Sequence, residues 1–451
     1  MRVALLPCTS YKGEPLTAPS RRHEGADPMD EITDYHLDIN RALRETLALV
    51  LAGGRGSRLH DLTNRESKPA VPFGGKYRII DFPLSNCMNS GIRRMCVLTQ
   101  YRAHTLIHHI QRGWGFLKAE IGEFVELWPA QQQTIKETWY QGTADAVHQN
   151  LELIRAHDPR YVLILAGDHI YKQDYSKLIA QHIASGADCS VACVDVPRAD
   201  ATGFGCVDVD ADDMIVGFLE KPANPPSIPG HPDRTFASMG IYVFNADYLY
   251  EILRIDAEEA DSQHDFGRDI IPSQVGRARI KAHRFTQSCV YSVGRREPYW
   301  RDVGTLDAYW AANIDLVSVT PALDLYDTDW PIWTYQMQRP PAKFVFDTDE
   351  RRGMAVDSML SAGCIVSGGK VSGSLLFNDV RVNSYSEVID TVVLPMSDIG
   401  RHARLTKCIV GTGCRIPEGL VVGEDPEEDA KRFLVSETGI TLITPEHLAR
   451  L

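Results

Sequence analysis

The chain has 451 residues, 44% hydrophobic and 24% charged, enough for two or three globular domains with full cores. Its net charge of −13 argues against nucleic-acid or anionic-membrane partners, and no uncharged apolar stretch of about 18 residues offers a membrane span. Ten cysteines with neither a C-x-x-C pair nor zinc-type spacing fit reduced thiols in a cytoplasmic protein better than a disulfide framework.

Residues 1–46 read as an N-terminal extension, poorly ordered in part. Val3–Leu6 is apolar, but Pro7 cuts it too short for a secretory signal, and Met29 offers a second translation start. Leu47–Ala52 is a continuous apolar run ending at glycines, as a buried parallel strand is. Similar runs follow at Met95–Thr99, Tyr161–Ala166, Ser190–Val196 and Gly240–Phe244. Helix-like segments at Ala103–Gln111, Ala144–Arg155 and Tyr175–Ala184 separate several of them. This alternation predicts a doubly wound α/β sheet over roughly Leu47–Val317. Ligands of such sheets lie beyond the carboxyl ends of the strands, which puts Gly53–Arg58, Gln100 and Gly167–Asp168 around one crevice.

The proline-rich stretch Trp330–Lys343 marks a linker over residues 330–343. Beyond it the pattern changes. Leu376, Val382, Val388 and Leu394 recur every six residues, as do Val393, Ile399 and Leu405, and Val410, Ile416 and Val422. A six-residue period matches neither a helix nor a single strand, and predicts the stacked short coils of a β-helix rather than a β-sandwich.

Charge is unevenly spread. Arg55–Arg112 holds ten Lys and Arg against three Asp and Glu, a basic segment suited to a small anionic ligand or simply to a solvated face. The turn Gly53-Gly54-Arg55-Gly56-Ser57-Arg58 lacks the Gly-Lys-Ser/Thr of a P-loop and the third glycine of a dinucleotide fingerprint. It is a phosphate cradle or a plain strand-to-helix turn. Lys68-Pro69 follows. Asp168 ends an apolar strand, where a carboxylate can hold Mg²⁺ or cap a turn. Asp302, in Trp300-Arg301-Asp302-Val303-Gly304, is a second metal carboxylate if the two segments meet. Glu220-Lys221 follows a strand-like run, as a phosphate contact or a surface pair. His108 and His109 face different sides of a helix and do not form a metal site.

Together these stretches resemble the bacterial glucose-1-phosphate adenylyltransferase (ADP-glucose pyrophosphorylase) family. The resemblance rests on Leu51–Leu59 (LAGGRGSRL), Ser67–Val71 (SKPAV), Trp139–Ala146 (WYQGTADA), Ala166–Tyr171 (AGDHIY), Glu220–Pro226 (EKPANPP), Ala237–Tyr242 (ASMGIY), His264–Gly267 (HDFG) and Pro298–Thr305 (PYWRDVGT). It implies a Rossmann-like, GT-A-like nucleotidyltransferase domain over 47–329. It also implies a C-terminal left-handed parallel β-helix over 344–451 that serves regulation and oligomerisation. Gly53, Gly54, Gly56 and Arg58 would hold the ATP phosphates, Lys68 would neutralise the reacting phosphates, and Asp168 and Asp302 would hold Mg²⁺. Gln100, Tyr140, Gly142 and Thr143 would serve the nucleotide and sugar pockets. Gly205, Glu220, Lys221, Ser238 and Asp265 would line the glucose 1-phosphate side.

The implied reaction is in-line attack of the glucose 1-phosphate oxygen on the α-phosphorus of ATP, releasing pyrophosphate. The resemblance also implies a homotetramer activated by phosphorylated sugars, with Arg65 and Arg78 as effector ligands. Glu66 and Pro72 stand where AMP-sensitive members can carry Arg and His, and Val435 where an Arg often occurs, which argues against AMP inhibition. Three alternatives share the fold: a pyrophosphorylase for another nucleotide or sugar, a bifunctional uridylyltransferase–acetyltransferase, and a non-catalytic regulatory subunit.

Overall fold

The computed structural model describes residues 38–451 except 55, 131–138, 293, 295–296 and 349–350. Most of the predicted N-terminal extension, with Met29 and Arg55 of the glycine turn, therefore lies outside the described residues. Strands β1 (Thr46–Leu51), β2 (Arg94–Thr99), β3 (Phe124–Pro129) and β4 (Tyr161–Ala166) run parallel in the order β3-β2-β1-β4. Leu47, Leu49, Val162 and Ile164 bury one face of this centre, and Ala48, Val50, Leu163 and Leu165 bury the other. Burial on both faces is why these strands read as unbroken apolar runs.

Strands β5 (Cys189–Pro197), β6 (Gly205–Val209), β7 (Ile215–Glu220), β8 (Arg234–Asn245) and β9 (Ile280–Arg284) complete a nine-stranded sheet. This half is mixed: β8 runs antiparallel to β4, β5 and β6, while β9 is parallel to β5. The doubly wound expectation thus describes the β1–β4 centre, with an antiparallel extension added. Of β8 only Gly240–Phe244 is legible in the sequence, because Arg234, Thr235 and Ser238 interrupt the apolar pattern. The single helix expected over Ala144–Arg155 is two, Thr143–His148 and Leu151–Ala156. Between them the Asn150 side chain takes up the Ala146 carbonyl (2.8 Å) and donates to the Tyr140 hydroxyl (3.0 Å).

From Lys343 onward the chain winds through three sheets of two- and three-residue strands, parallel except where Leu434–Val435 runs antiparallel to Thr441–Ile443. Arg381 pairs with Asp398 and Asp398 with Arg415, so one coil takes 17 residues. The buried column runs Leu376, Val382, Val388, Val393, Ile399, Leu405, Val410, Ile416 and Val422. The three registers seen in the sequence are therefore one register, shortened by a residue on one side of every coil. Corners are made by residues with left-handed φ, stacked coil upon coil: Tyr385 (63°) beneath His402 (54°), and Asp390 (48°) beneath Lys407 (52°).

One sheet of this column packs against the helix Leu306–Asp315, joining Leu306, Tyr309 and Leu316 to Leu375, Val392 and Ile409 in one core. Polar contacts reinforce the junction. Trp310 Nε1 donates to the Asp390 carbonyl at 2.8 Å, and the Ser436 and Thr438 hydroxyls, 2.5 Å away, both donate to Asp307. Up to residue 342 the predicted linker has no regular structure but is strapped down, with Trp330 Nε1 on Asn86 (3.0 Å) and the Trp333 amide on Ser85 (2.8 Å). Among the described residues no helix is long and apolar enough to cross a membrane. Among the described residues, nine cysteines, all of them buried, carry free thiols.

Candidate active site

After β3 the chain crosses back to lay β4 on the other side of β1, and a crevice forms where neighbouring connections diverge. A cleft of about 1130 Å³ opens there, beyond the carboxyl ends of β1, β2 and β4. Gly53, Gly54, Gly56 and Arg58 line it from β1, Gln100 from β2, and Asp168 from β4. The glycine turn folds back onto Lys68. Gly56 has φ 62°, and a Cβ there would sit 2.9 Å from Lys68 Cβ.

Asp168 and Asp302 are brought together by a feature no sequence pattern announces, a two-stranded antiparallel ladder of His169–Tyr171 with Trp300–Asp302 that pairs Asp302 with His169. Lys68, buried to 5% exposure, lies between the carboxylates and donates from Nζ to Asp168 Oδ2 (2.9 Å) and Asp302 Oδ1 (2.6 Å). Arg58, 68% exposed, approaches Asp302 Oδ2 at 3.4 Å. Gly304 keeps this corner open, since a Cβ there would lie 2.9 Å from both Arg58 Nη2 and Asp302 Oδ1.

Burial acts to raise the Asp168 carboxyl, but His169 and Lys68 outweigh it and hold the group at about 2. Burial likewise pulls the Lys68 ammonium down, and Asp168 and Asp302 reverse that to leave it above its ordinary value. Both groups are charged at neutral pH. His169, which sequence reasoning passed over, puts Nε2 3.6 Å from Asp168 Oδ1 and its ring edge against Trp300. Its only sequence signal is adjacency to Gly167-Asp168. The ligand atoms of Asp168, His169 and Asp302 lie within 4.8 Å of one another. Two hard carboxylate oxygens at the edge of the cleft suit a divalent cation that prefers oxygen.

Tyr140, Gly142, Thr143, Gly205, Glu220, Ser238 and Asp265 line the other half of the cleft. Asp265 is fully engaged in shaping it. Its Oδ2 accepts from Thr143 Oγ1 (2.9 Å) and its Oδ1 from the Gly267 and Arg268 amides (2.9 and 3.1 Å). Gly205 lies under Glu220, where a Cβ would come within 2.9 Å of Oε2. Lys221 is not among the lining residues. Its side chain is 64% exposed, with Nζ 3.3 Å from Glu220 Oε1 and φ at 47°. Residues absent from the sequence-derived set also line the cleft, among them Tyr101, Arg102, Phe204 and Tyr242.

Arg65 and Arg78 lie apart from the lining residues, on the segment after Arg58. Arg65, 72% exposed, forms an ion pair with Glu446 of the C-terminal helix Pro445–Leu448, and His447 Nε2 of that helix lies 3.2 Å from Asp61 Oδ2. Arg78 pairs with Glu66 Oε2 at 2.9 Å and also donates to the Ala70 carbonyl, two residues beyond Lys68. Burial raises the Glu66 carboxyl, against the pull of Arg78. His109 is buried on Asp81 (2.6 Å), and the His108 ring lies tilted against His104, so the two histidines do not converge.

Comparison with known proteins agrees with this architecture. A nucleotidyl transferase family model matches residues 47–318, and a GlmU-like C-terminal hexapeptide model matches residues 340–443. A glucose-1-phosphate adenylyltransferase of Rhodospirillum rubrum is 85% identical over 94% of this chain and all of its own length. Enzymes of the same name from Paramagnetospirillum magneticum and Dechloromonas aromatica are 61% and 58% identical, over 94% and 95% of this chain and 99% and 97% of their own. With its two domains matched in order and such relatives aligned nearly end to end, the chain belongs to the glucose-1-phosphate adenylyltransferase family.

Proposed function

We propose that the protein makes ADP-glucose and pyrophosphate from ATP and glucose 1-phosphate, in the cytoplasm, as the regulated entry to glycogen synthesis. The observation that carries the reading is the Asp168–Lys68–Asp302 bridge beside Arg58 at the mouth of one cleft. A phosphate monoester is already nucleophilic, so the protein's task is alignment and charge stabilisation. Backbone amides of Gly53, Gly54 and Gly56 cradle the nucleotide phosphates. Arg58 and Lys68 neutralise charge around the α-phosphorus. Glu220, Ser238 and Thr143 orient the sugar, and Lys221 reaches its phosphate by rotating away from Glu220.

Asp168 and Asp302 are the ligands for Mg²⁺, and their oxygen donors fit that ion. The chemistry bound Mg²⁺ supplies is charge stabilisation on the departing pyrophosphate. Phosphorylated sugars act as effectors at Arg65, whose guanidinium is open to solvent. Arg78 already holds Glu66, which works against AMP there. The assembly is a homotetramer.

The test is pyrophosphate release with glucose 1-phosphate, Mg²⁺ and each of ATP, UTP, GTP and dTTP, with Asp168→Ala as control. ATP preference abolished by the substitution is the expected result. Preference for another nucleotide would replace the substrate but not the mechanism, and no release even with fructose 1,6-bisphosphate or fructose 6-phosphate would favour a regulatory subunit.

A further inference from the structure

Away from the cleft, Cys96, Glu126 and His157 bring a thiol, a carboxylate and an imidazole together on one side of the sheet. We propose that they form a second metal site, for a borderline-soft divalent cation such as Zn²⁺. Cys96 on β2 pairs in register with Glu126 on β3, the edge strand, and His157 caps the helix Leu151–Ala156. Their ligand atoms lie within 4.8 Å of one another. In a tetrahedral zinc site they would stand roughly 3.5 Å apart, given bonds of about 2.0–2.3 Å. Cys96 is fixed in the sheet, whereas Glu126 and His157 reach solvent and can supply the movement.

The surroundings orient both solvent-side ligands. Trp128 Nε1 donates to Glu126 Oε2 at 3.0 Å, and the His157 ring stacks on the same tryptophan, 5.8 Å between centroids and 20° between planes. Phe124 supports the imidazole from 4.9 Å, leaving Nε2 3.7 Å from Glu126 Oε2. Outer groups that hold ligand rings and carboxylates in place are part of how metal sites are built.

One sulfur, one nitrogen and one oxygen donor favour Zn²⁺ or Co²⁺ and disfavour Mg²⁺ and Ca²⁺, which take oxygen. Burial and the nearby Glu126 push the Cys96 thiol up against the pull of Arg94, so the metal-free site holds a protonated thiol. Binding exchanges the thiol proton for a sulfur–metal bond and releases that proton to solvent. Among the described residues, Cys96 is the one cysteine grouped with a histidine and a carboxylate at this range. Because the ligands come from β2, β3 and the end of a helix, the ion would cross-link the open edge of the sheet.

The test uses the full chain and Co²⁺ as probe, because a cobalt–thiolate bond has its own near-ultraviolet charge-transfer band. The band should appear with one equivalent of Co²⁺, persist in Asp168→Asn, vanish in Cys96→Ser and be displaced by Zn²⁺. His157→Gln, at a partly exposed position, should weaken Co²⁺ binding at least tenfold even if Cys96→Ser folds poorly. No thiolate band at saturating Co²⁺, or an equal band in a folded Cys96→Ser, would overturn the site.

Discussion

Lys68 has two partners, and its removal does more than delete a charge. Lys68→Met leaves Asp168 and Asp302 facing each other without the ammonium that separates them. Loss of such a charge-stabilising donor typically costs 10²–10³-fold in kcat, about 3–4 kcal/mol. The expected result is a fall of that size in pyrophosphate release with little change in the KM for glucose 1-phosphate, read by steady-state kinetics. At the same scale, His182 and His283 are fully buried and neutral. His182 Nδ1 lies 2.9 Å from Ser190 Oγ and Nε2 3.2 Å from Asn245 Oδ1, while His283 Nε2 lies 2.7 Å from Ser288 Oγ. Burial brings each down to about 4. The unfolded chain, with ordinary histidines near 6.5, binds more protons below that value. Stability is therefore full above pH 6.5 and drains away as pH falls toward 4, by about 3 kcal/mol per histidine at most. Urea midpoints measured from pH 7 to pH 4 should trace this loss, and a His182→Gln, His283→Gln double variant should flatten it.

At the scale of elements, two turns invite opposite substitutions. Gly56 needs its left-handed φ and has no room for a Cβ beside Lys68, so Gly56→Ala should destabilise the turn by about 1–2 kcal/mol and displace Lys68. Activity should drop more than melting temperature does. Lys407 takes the same kind of φ at a β-helix corner, where no packing demands a lysine, and Lys407→Gly should raise stability by up to about 1 kcal/mol, seen in thermal melts.

Elements were legible in proportion to how far one face or both faces are buried. The parallel centre was readable because Leu47–Leu51 and Tyr161–Ala166 are apolar throughout. Strand β3 was not, because an edge strand carrying Glu126 keeps only part of its pattern. The hexad period was visible, but its true register was not, since both Val393 and Leu394 are apolar and buried, and only the structure shows that Val393 points into the column. In the cleft, each strand-end residue could be placed from the chain. The meeting of Asp168 with Asp302 could not, because it depends on three residues of antiparallel pairing between strands 128 residues apart in the chain. Lys221, with a left-handed φ just after β7, rests against Glu220 outside the cleft lining, a placement that nothing in Glu220-Lys221-Pro222 reveals.

On the scale of the whole molecule, the domains share a core. Leu375, Phe377, Val392, Leu394 and Ile409 meet the helix Leu306–Asp315 across an apolar contact sealed by Trp310 and Asp307. Ending the chain after residue 340 would expose that surface, and the truncated protein should aggregate and lose activity, by size exclusion and pyrophosphate assay. Leu394→Ala, which thins the contact without removing it, should cost roughly 2–4 kcal/mol.

The 17-residue coil has a further consequence. Each coil lifts the column by one strand spacing, about 4.8 Å. The coil count therefore sets the height at which the final helix stands, and with it where Glu446 and His447 meet Arg65 and Asp61. The β-helix acts as a ruler. Inserting one whole coil would leave every sheet intact yet carry both contacts out of reach of the segment that follows Arg58.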